Sequence, residues 1–413
     1  MLPRWAQNLL DQHPGADKPT AEDPIPSWLE EEVRKKPLWY IIRESEVVRD
    51  RHPFVVFDEI LKQPAQWTDI LATKRSEIDA LAQEFTQRGV RRVIFTGCGS
   101  AFFTAIHGKL LFRRFTDLST DAIESNELVH YFPQVDAART AVIAHSGTGG
   151  SIETLEAIRA AKARNVLTVA LSNTDISPIL DESDRAVVYP TRQHCGPCIS
   201  VVSTRILLQT LLAGALSTSA ADRRQLDREL AALPEAGHAF LEEFTTRIED
   251  FAHRIGGVES VFLVGSGPNY FSAREGNLKI EEQSLTVGKA YRTGDFHHDA
   301  LSLLSPTRLV VAIAAEGAAN GRIVDALRAA KEGLSPTLAV EYGDVGGLAS
   351  HADDTWWLRA ELGEYVAPVL LTLPFQLLGY FMGVVRGRNP DTLATDRMSN
   401  ARAWLTAFPL GTH

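Results

Sequence analysis

The chain has 413 residues, enough for two or three domains of ordinary size. Hydrophobic residues make up 45% and charged residues 23%, a balance usual for a soluble globular protein, and a net charge of −10 without any basic run argues against nucleic acid as a partner. Three cysteines, Cys98, Cys195 and Cys198, are too few for a disulfide framework and fit a reducing cytoplasm.

The first stretch, MLPRWAQNLLDQHPG, has no basic region followed by an apolar one, so no secretory signal is read there. No apolar run reaches the ~18–20 residues of a membrane span, and no membrane partner is expected. Residues 1–85 carry SWLEEEVRKKPLWYIIRES and SEIDALAQEFTQRG, which predict an N-terminal helical extension with a loose, Pro-rich lead-in.

From residue 86 the pattern changes. Apolar runs rich in Val, Ile and Phe enter Gly/Ser-rich turns, and helical periodicity follows. In ETLEAIRAAKARNVLTVAL, Leu155, Ile158 and Ala161 keep helical spacing before a continuous strand begins. The unit then repeats. VIFTGCGSAFF is echoed by VFLVGSGPNYF, AVIAHSGTGG by LVVAIAAEGAA, NVLTVALSNTD by SPTLAVEYGD, and DRAVVYP by DTWWLRA. Gly97 and Gly265 lie 168 residues apart, and the pairs Gly147/Gly317 and Asp184/Asp354 lie 170 apart. So constant an offset marks a duplication. Strands alternating with helices predict an α/β fold, with two parallel sheets each flanked by helices. The expected domains are 86–220 and 255–388, joined by a charged helical connector at 221–254 and followed by a C-terminal tail at 389–413.

In such sheets ligands bind beyond the carboxyl ends of the strands. The turn TGCGSAFF lacks the third glycine of a dinucleotide fingerprint, since position 102 is Phe, but Thr96 and Ser100 suit one wall of a pocket. In HSGTGGSIETLEA, Ser146, Thr148 and Ser151 alternate with Gly147, Gly149 and Gly150 at a helix start. Glycines let the backbone close around a ligand, and hydroxyls with orphan N–H groups suit a phosphate. The plainer alternative is a strand-to-helix turn with Ser151 as N-cap.

QHCGPCIS spells the Cys-x-x-Cys of thioredoxin-like proteins, but it comes late in a repeated unit instead of opening its own small domain, and the second unit has no cysteine. A redox role is therefore not expected. In FSAREGNLKIEEQSLTV, Phe271, Leu278 and Leu285 recur every seven residues and predict a buried face, with Glu275 and Glu282 on it. Buried carboxylates are costly unless paired or used. Either Arg274 or Lys279 neutralises them, or the stripe is only half-buried, or one is a general base in a partly dry pocket. His297, His298 and Asp299 are expected on a loop. Adjacent histidines point apart and no further spaced ligands appear, so no metal is expected. A histidine acid or base and a solvated pair both remain open.

Taken together, these motifs resemble the sugar isomerase (SIS) domain family. Its two-domain members include the isomerase half of glucosamine-6-phosphate synthase and the tagatose-6-phosphate ketose/aldose isomerase–galactosamine-6-phosphate deaminase group. SGTGGSIET is similar to the family's Ser-x-Ser-Gly-x-Thr phosphate loop. REGNLKIEEQSLTVGKAYRTGDFHHDALSLL is similar to its E-x-A-L-K-x-x-E helix and the H-G-P stretch beyond it. The ends of the chain, WLEEEVRKKPLWYI and RGRNPDTLATDRMSNARAW, are closer to the isomerase–deaminase group.

The resemblance implies two tandem SIS domains and a cytoplasmic homodimer acting on a sugar phosphate or amino sugar phosphate without a cofactor. It implies that Ser100, Ser146, Thr148 and Ser151 hold the phosphate and that Ser203 lines the sugar pocket. Glu282 would move a proton between C1 and C2, and His298 would open the ring, reaching into the partner's site. Ala101 replaces a frequent serine, and Asp299-Ala300 replaces Gly-Pro. The last lysine is Lys331, so the synthase's C-terminal lysine has no counterpart. With no glutaminase domain, glucosamine-6-phosphate synthesis from glutamine is not expected. The expected activity is aldose–ketose isomerisation, with loss of an amine where the substrate carries one. A non-catalytic sugar-phosphate sensor is the alternative.

Overall fold

The computed structural model describes residues 4–409 apart from 21–22, 190, 192, 316–318 and 344–346. Gly317, the expected counterpart of Gly147, lies outside the described residues. Two five-stranded sheets carry the fold, and every described strand pair in them is parallel. In the first, β1 (Arg92–Thr96), β2 (Ser119–Ala122), β3 (Thr140–Ser146), β4 (Leu167–Ser172) and β5 (Arg185–Val188) take the order β2-β1-β3-β4-β5. In the second, β6 (Ser260–Val264), β7 (Val287–Tyr291), β8 (Arg308–Ala315), β9 (Thr337–Tyr342) and β10 (Asp354–Leu358) take the order β10-β9-β8-β6-β7, the same order read from the other edge. All seven residues of β3 and all six of β4 are buried, as expected for strands covered by helices on both faces.

The order reverses direction between β1 and β3. That switch point opens a crevice at the carboxyl ends of the two strands, where the turn at Ser100 and the loop Ser146–Ser151 lie.

The two units share one apolar core. A single cluster of buried side chains runs from Trp67 and Phe95 through Leu208 and Phe244 to Phe271, Trp356 and Phe381. The segment 221–254 lies within one 35-residue helix, Ala220–Arg254, whose first turn is capped by Ser219 Oγ accepting from Asp222 N at 3.2 Å.

The extension departs from the prediction in two ways. SWLEEEVRKKPLWYIIRES splits at Pro37 into the helices Ser27–Lys35 and Leu38–Ile42, because the residue before a proline is driven to extended backbone, as Lys36 is. A 19-residue helix, Val55–Thr73, was not foreseen. Its cap is not local: Asp391, in the tail, accepts from Val55 N at 3.0 Å, Val56 N at 2.8 Å and Tyr40 Oη at 2.6 Å.

One expectation about membranes needs correcting. Ala367–Val385, two helical pieces joined at Leu371, is long and apolar enough to cross a bilayer. It is 89% buried inside the protein, packed against the helices Pro268–Ser284 and Ala220–Arg254, so its apolar surface is already covered.

Candidate active site

The loop Ser146–Ser151 leaves β3 and enters the helix Ile152–Lys162. Ser146 Oγ accepts from Gly149 N at 3.0 Å and Thr148 Oγ1 accepts from Gly150 N at 3.2 Å, so the hydroxyls shape the loop around its own amides. Gly149 has φ +64°, and a side chain there would strike Ser177 Oγ at 2.2 Å, so only glycine fits. Ser151 stands at the N-cap, but its side chain makes no capping bond. The plainer reading of this serine as a cap is therefore not what the geometry shows, and its hydroxyl is left available beside the first helical amides.

Across the switch point, Ser100 opens the helix Ser100–Phe115 directly after β1. Its Oγ donates to Glu275 Oε1 at 3.1 Å, a bond between the two units. Thr96, expected beside it as a donor, is buried and shares its hydroxyl with Ser125 Oγ at 3.2 Å, so it serves the interior.

Glu275 belongs to the helix Pro268–Ser284, where Lys279 is 0% exposed. Lys279 Nζ lies 3.4 Å from Glu275 Oε1 and forms a closer pair with Glu282 Oε2. Of the alternatives weighed from the sequence, the structure shows Lys279 pairing with both carboxylates, with one ammonium against two negative charges. The triad follows from helical spacing at i, i+4 and i+7, which puts all three on one face.

Burial works against the charge on Lys279, yet the two carboxylates overcome it and hold its pKa above the usual lysine range. For Glu282, burial raises the pKa, and the attraction of Lys279 offsets this only in part, so the carboxyl sits above its ordinary value. The Glu282 side chain keeps 20% exposure, whereas Glu275 and Lys279 are enclosed. A carboxylate that is easier to protonate than usual, held in place by a buried ammonium, is suited to taking and returning a proton.

The seven-residue stripe read from the sequence does not run to its end. Phe271 is buried, but Leu285 is 38% exposed in left-handed backbone at the helix C-cap, φ 56°. The buried face is Phe271, Glu275 and Lys279 instead.

His298 lies on a short helix, Thr293–Asp299, not on the expected loop, and is exposed. Its neighbour His297 faces Arg322, with Nδ1 3.1 Å from Nη2.

Ser203 does not join the site. It is fully buried on the helix Ser200–Leu216, donates to Gln63 Oε1 at 2.7 Å and accepts from Trp67 Nε1 at 2.9 Å. Its hydroxyl is committed to the shared core, a role that "VVSTR" alone could not distinguish from pocket lining.

The Cys-x-x-Cys segment is a tight turn before the same helix. Gln193 Nε2 donates to the carbonyls of Cys195, Gly196 and Pro197 at 3.0, 3.0 and 2.7 Å, and Gly196 N donates to Asp391 O at 2.8 Å. Cys195 is buried, and its thiol donates to Glu59 Oε2 at 3.3 Å. Burial and the adjacent Glu59 push its pKa well up, the reverse of an activated thiolate. Burial also raises Glu59, to about 7. Among the described residues no group of three His, Cys, Asp or Glu side chains is placed to hold a metal ion.

Comparison with known proteins places the fold. A glutamine–fructose-6-phosphate aminotransferase (isomerizing) from Methanothermobacter thermautotrophicus is 29% identical over 333 residues, 81% of this chain and 55% of that protein. The chain thus spans little more than half the length of that relative. The structure of tagatose-6-phosphate ketose/aldose isomerase from Escherichia coli superposes with a TM-score of 0.68 at 18% identity, covering 84% of this chain and 97% of that one. That of glucosamine-6-phosphate deaminase from Thermotoga maritima gives 0.64 at 23% identity, covering 81% and 96%. The SIS domain model matches residues 87–214 and 256–376, each segment holding one of the two parallel sheets, and so the chain belongs to the SIS domain family.

Proposed function

We propose that the protein is an aldose–ketose isomerase of a sugar phosphate or amino sugar phosphate, releasing an amine where the substrate carries one. The observation that carries this reading is the Glu275–Lys279–Glu282 triad, tied through Ser100 to the turn beside the loop Ser146–Ser151. In this reading the loop hydroxyls of Ser146, Thr148 and Ser151, with Ser100, receive the phosphate. The open-chain sugar then extends toward Glu282.

Glu282 takes the proton from the carbon alpha to the carbonyl or imine and returns it to the neighbouring carbon. Lys279 holds the carboxylate in place and keeps it ionised for the first step. His298, exposed on its short helix, serves ring opening in the site of a second copy of the chain. The curated relative and the isomerase and deaminase neighbours support the substrate class, and the raised pKa of Glu282 supports the chemistry.

The test is a thermal-shift screen of hexose and hexosamine 6-phosphates, followed by C2 proton exchange in D2O for each ligand found. Glu282→Gln keeps the shape but cannot accept the proton, so exchange should fall about 10²–10⁴-fold while binding survives. Exchange at the wild-type rate in that variant removes Glu282 as the base. A ligand that binds wild type without any exchange makes the protein a sensor, a reading that the replacement of Gly-Pro by Asp299-Ala300 behind His298 favours.

A further inference from the structure

One arginine interrupts the apolar helix Ser200–Leu216. Arg205 is 1% exposed. A buried guanidinium is costly unless something answers its charge, and it stays protonated at any accessible pH. Among the described residues no carboxylate forms an ion pair with it. Its Nε donates to Tyr189 Oη at 2.8 Å, a neutral partner, and its Nη1 is buried without a hydrogen-bond partner. Glu275 lies within its field without forming an ion pair with it, and Glu275 Oε2 is itself buried without a hydrogen-bond partner. His145, the residue before Ser146, is buried with neither ring nitrogen bonded. Burial first, and the charge of Arg205 second, hold its pKa down at about 3, so it stays neutral.

The place of this charge is specific. A side chain at Gly147 would begin 2.9 Å from Arg205 Nη2 and 3.3 Å from Asn173 Oδ1, whose oxygen is also buried and unpartnered. The glycine therefore lets the loop backbone settle against the guanidinium. We propose that Arg205 is a positioning residue whose buried charge, without an ion-pair partner among the described residues, acts through Gly147 to set the loop Ser146–Ser151 to accept a phosphate dianion and to reject the uncharged parent sugar. This rests on the phosphate-loop reading above. It supplies what that reading lacked, because a chain of net charge −10 has no overall field to draw an anion in. The substrate phosphate becomes its direct counter-ion.

The test uses the full chain, with calorimetric titration of inorganic phosphate and of the hexose 6-phosphate found in the screen. Arg205→Met should weaken both by about tenfold or more, as expected for losing a charge a few ångströms from an anion in a partly dry site. Arg205→Lys should recover part of that loss, and Tyr189→Phe, which keeps the charge but removes its hydrogen bond, should bind as wild type. C2 exchange at saturating ligand should change only a few-fold in Arg205→Met, placing the effect in KM. Without ligand, Arg205→Met should melt at or above the wild-type temperature, because an uncompensated charge has left the interior. If Arg205→Met binds as wild type while Thr148→Val binds weakly, the loop reading stands and the role of Arg205 is refuted. If Arg205→Met melts lower without ligand and Arg205→Lys binds no better than it, the arginine is structural and the inference fails. If wild type binds neither phosphate compound, the loop reading fails and takes this inference with it.

Discussion

Lys279→Met isolates the energetics of the buried triad. The ammonium is enclosed completely, with Glu275 at 3.4 Å and Glu282 closer still. Replacing it with a neutral side chain of similar length keeps the packing and leaves two carboxylates on one helix face without a cation. Breaking a buried pair in this way costs about 3–5 kcal/mol when the stranded charge has no water. Glu282 retains partial exposure, so the cost at pH 8 should fall near the lower end, about 3 kcal/mol.

The pH dependence provides the diagnostic. Removing Lys279 takes away the attraction that offsets burial at Glu282, so the folded-state pKa of that carboxyl, already raised, moves further upward. A carboxyl whose folded pKa exceeds its unfolded value contributes stability below the unfolded value and loses it as pH rises through the folded one. The gap between wild type and variant should therefore be small at pH 5 and widen toward pH 8. Urea unfolding midpoints at four pH values measure it. Lys279→Met/Glu282→Gln should recover about half the loss at pH 8. A gap that stays constant between pH 5 and 8, or one below about 1 kcal/mol at pH 8, would show that the triad is not a buried ion cluster and refute the reasoning.

Thr148→Val removes a hydroxyl that shapes the loop Ser146–Ser151, proposed to hold the phosphate, and sugar phosphate affinity should drop about tenfold with no change in melting temperature; calorimetry decides. If Glu282 is the base as proposed, it must be ionised to act, and C2 exchange in wild type should fall as pH drops through its raised pKa, which a pH–rate profile of exchange reads directly. Cys195→Ser/Cys198→Ser should retain turnover, since the Cys195 thiol is buried and held protonated beside Glu59; a tenfold loss, about 1.4 kcal/mol, would give the pair a function. Asp391→Ala strands Val55 N, Val56 N and Tyr40 Oη, and should destabilise the fold by about 3 kcal/mol, seen as a lower urea midpoint.

Local patterning was enough to read much of this protein. Continuous apolar strands, Gly/Ser turns and a repeat of 168–170 residues specified two parallel sheets and put Ser100 and the Ser146–Ser151 loop after strands, because strand and helix periods are written in neighbouring residues. The helix carrying Glu275, Lys279 and Glu282 was legible for the same reason, including the alternative that Lys279 pairs with its carboxylates. What failed depended on distant residues. The helix Val55–Thr73 takes its cap from Asp391, more than 330 residues away. Ser203 is turned to the core by Trp67 and Gln63 on that same helix, and Leu285 is released to solvent where the stripe meets left-handed backbone. Whether a hydroxyl or a charge faces a ligand or the interior is decided by what packs opposite it. Arg205 shows this most directly: one arginine among apolar residues is visible in the sequence, but that no carboxylate among the described residues forms an ion pair with it, and that Gly147 lies against it, are facts that only the folding of one helix beneath one loop brings about.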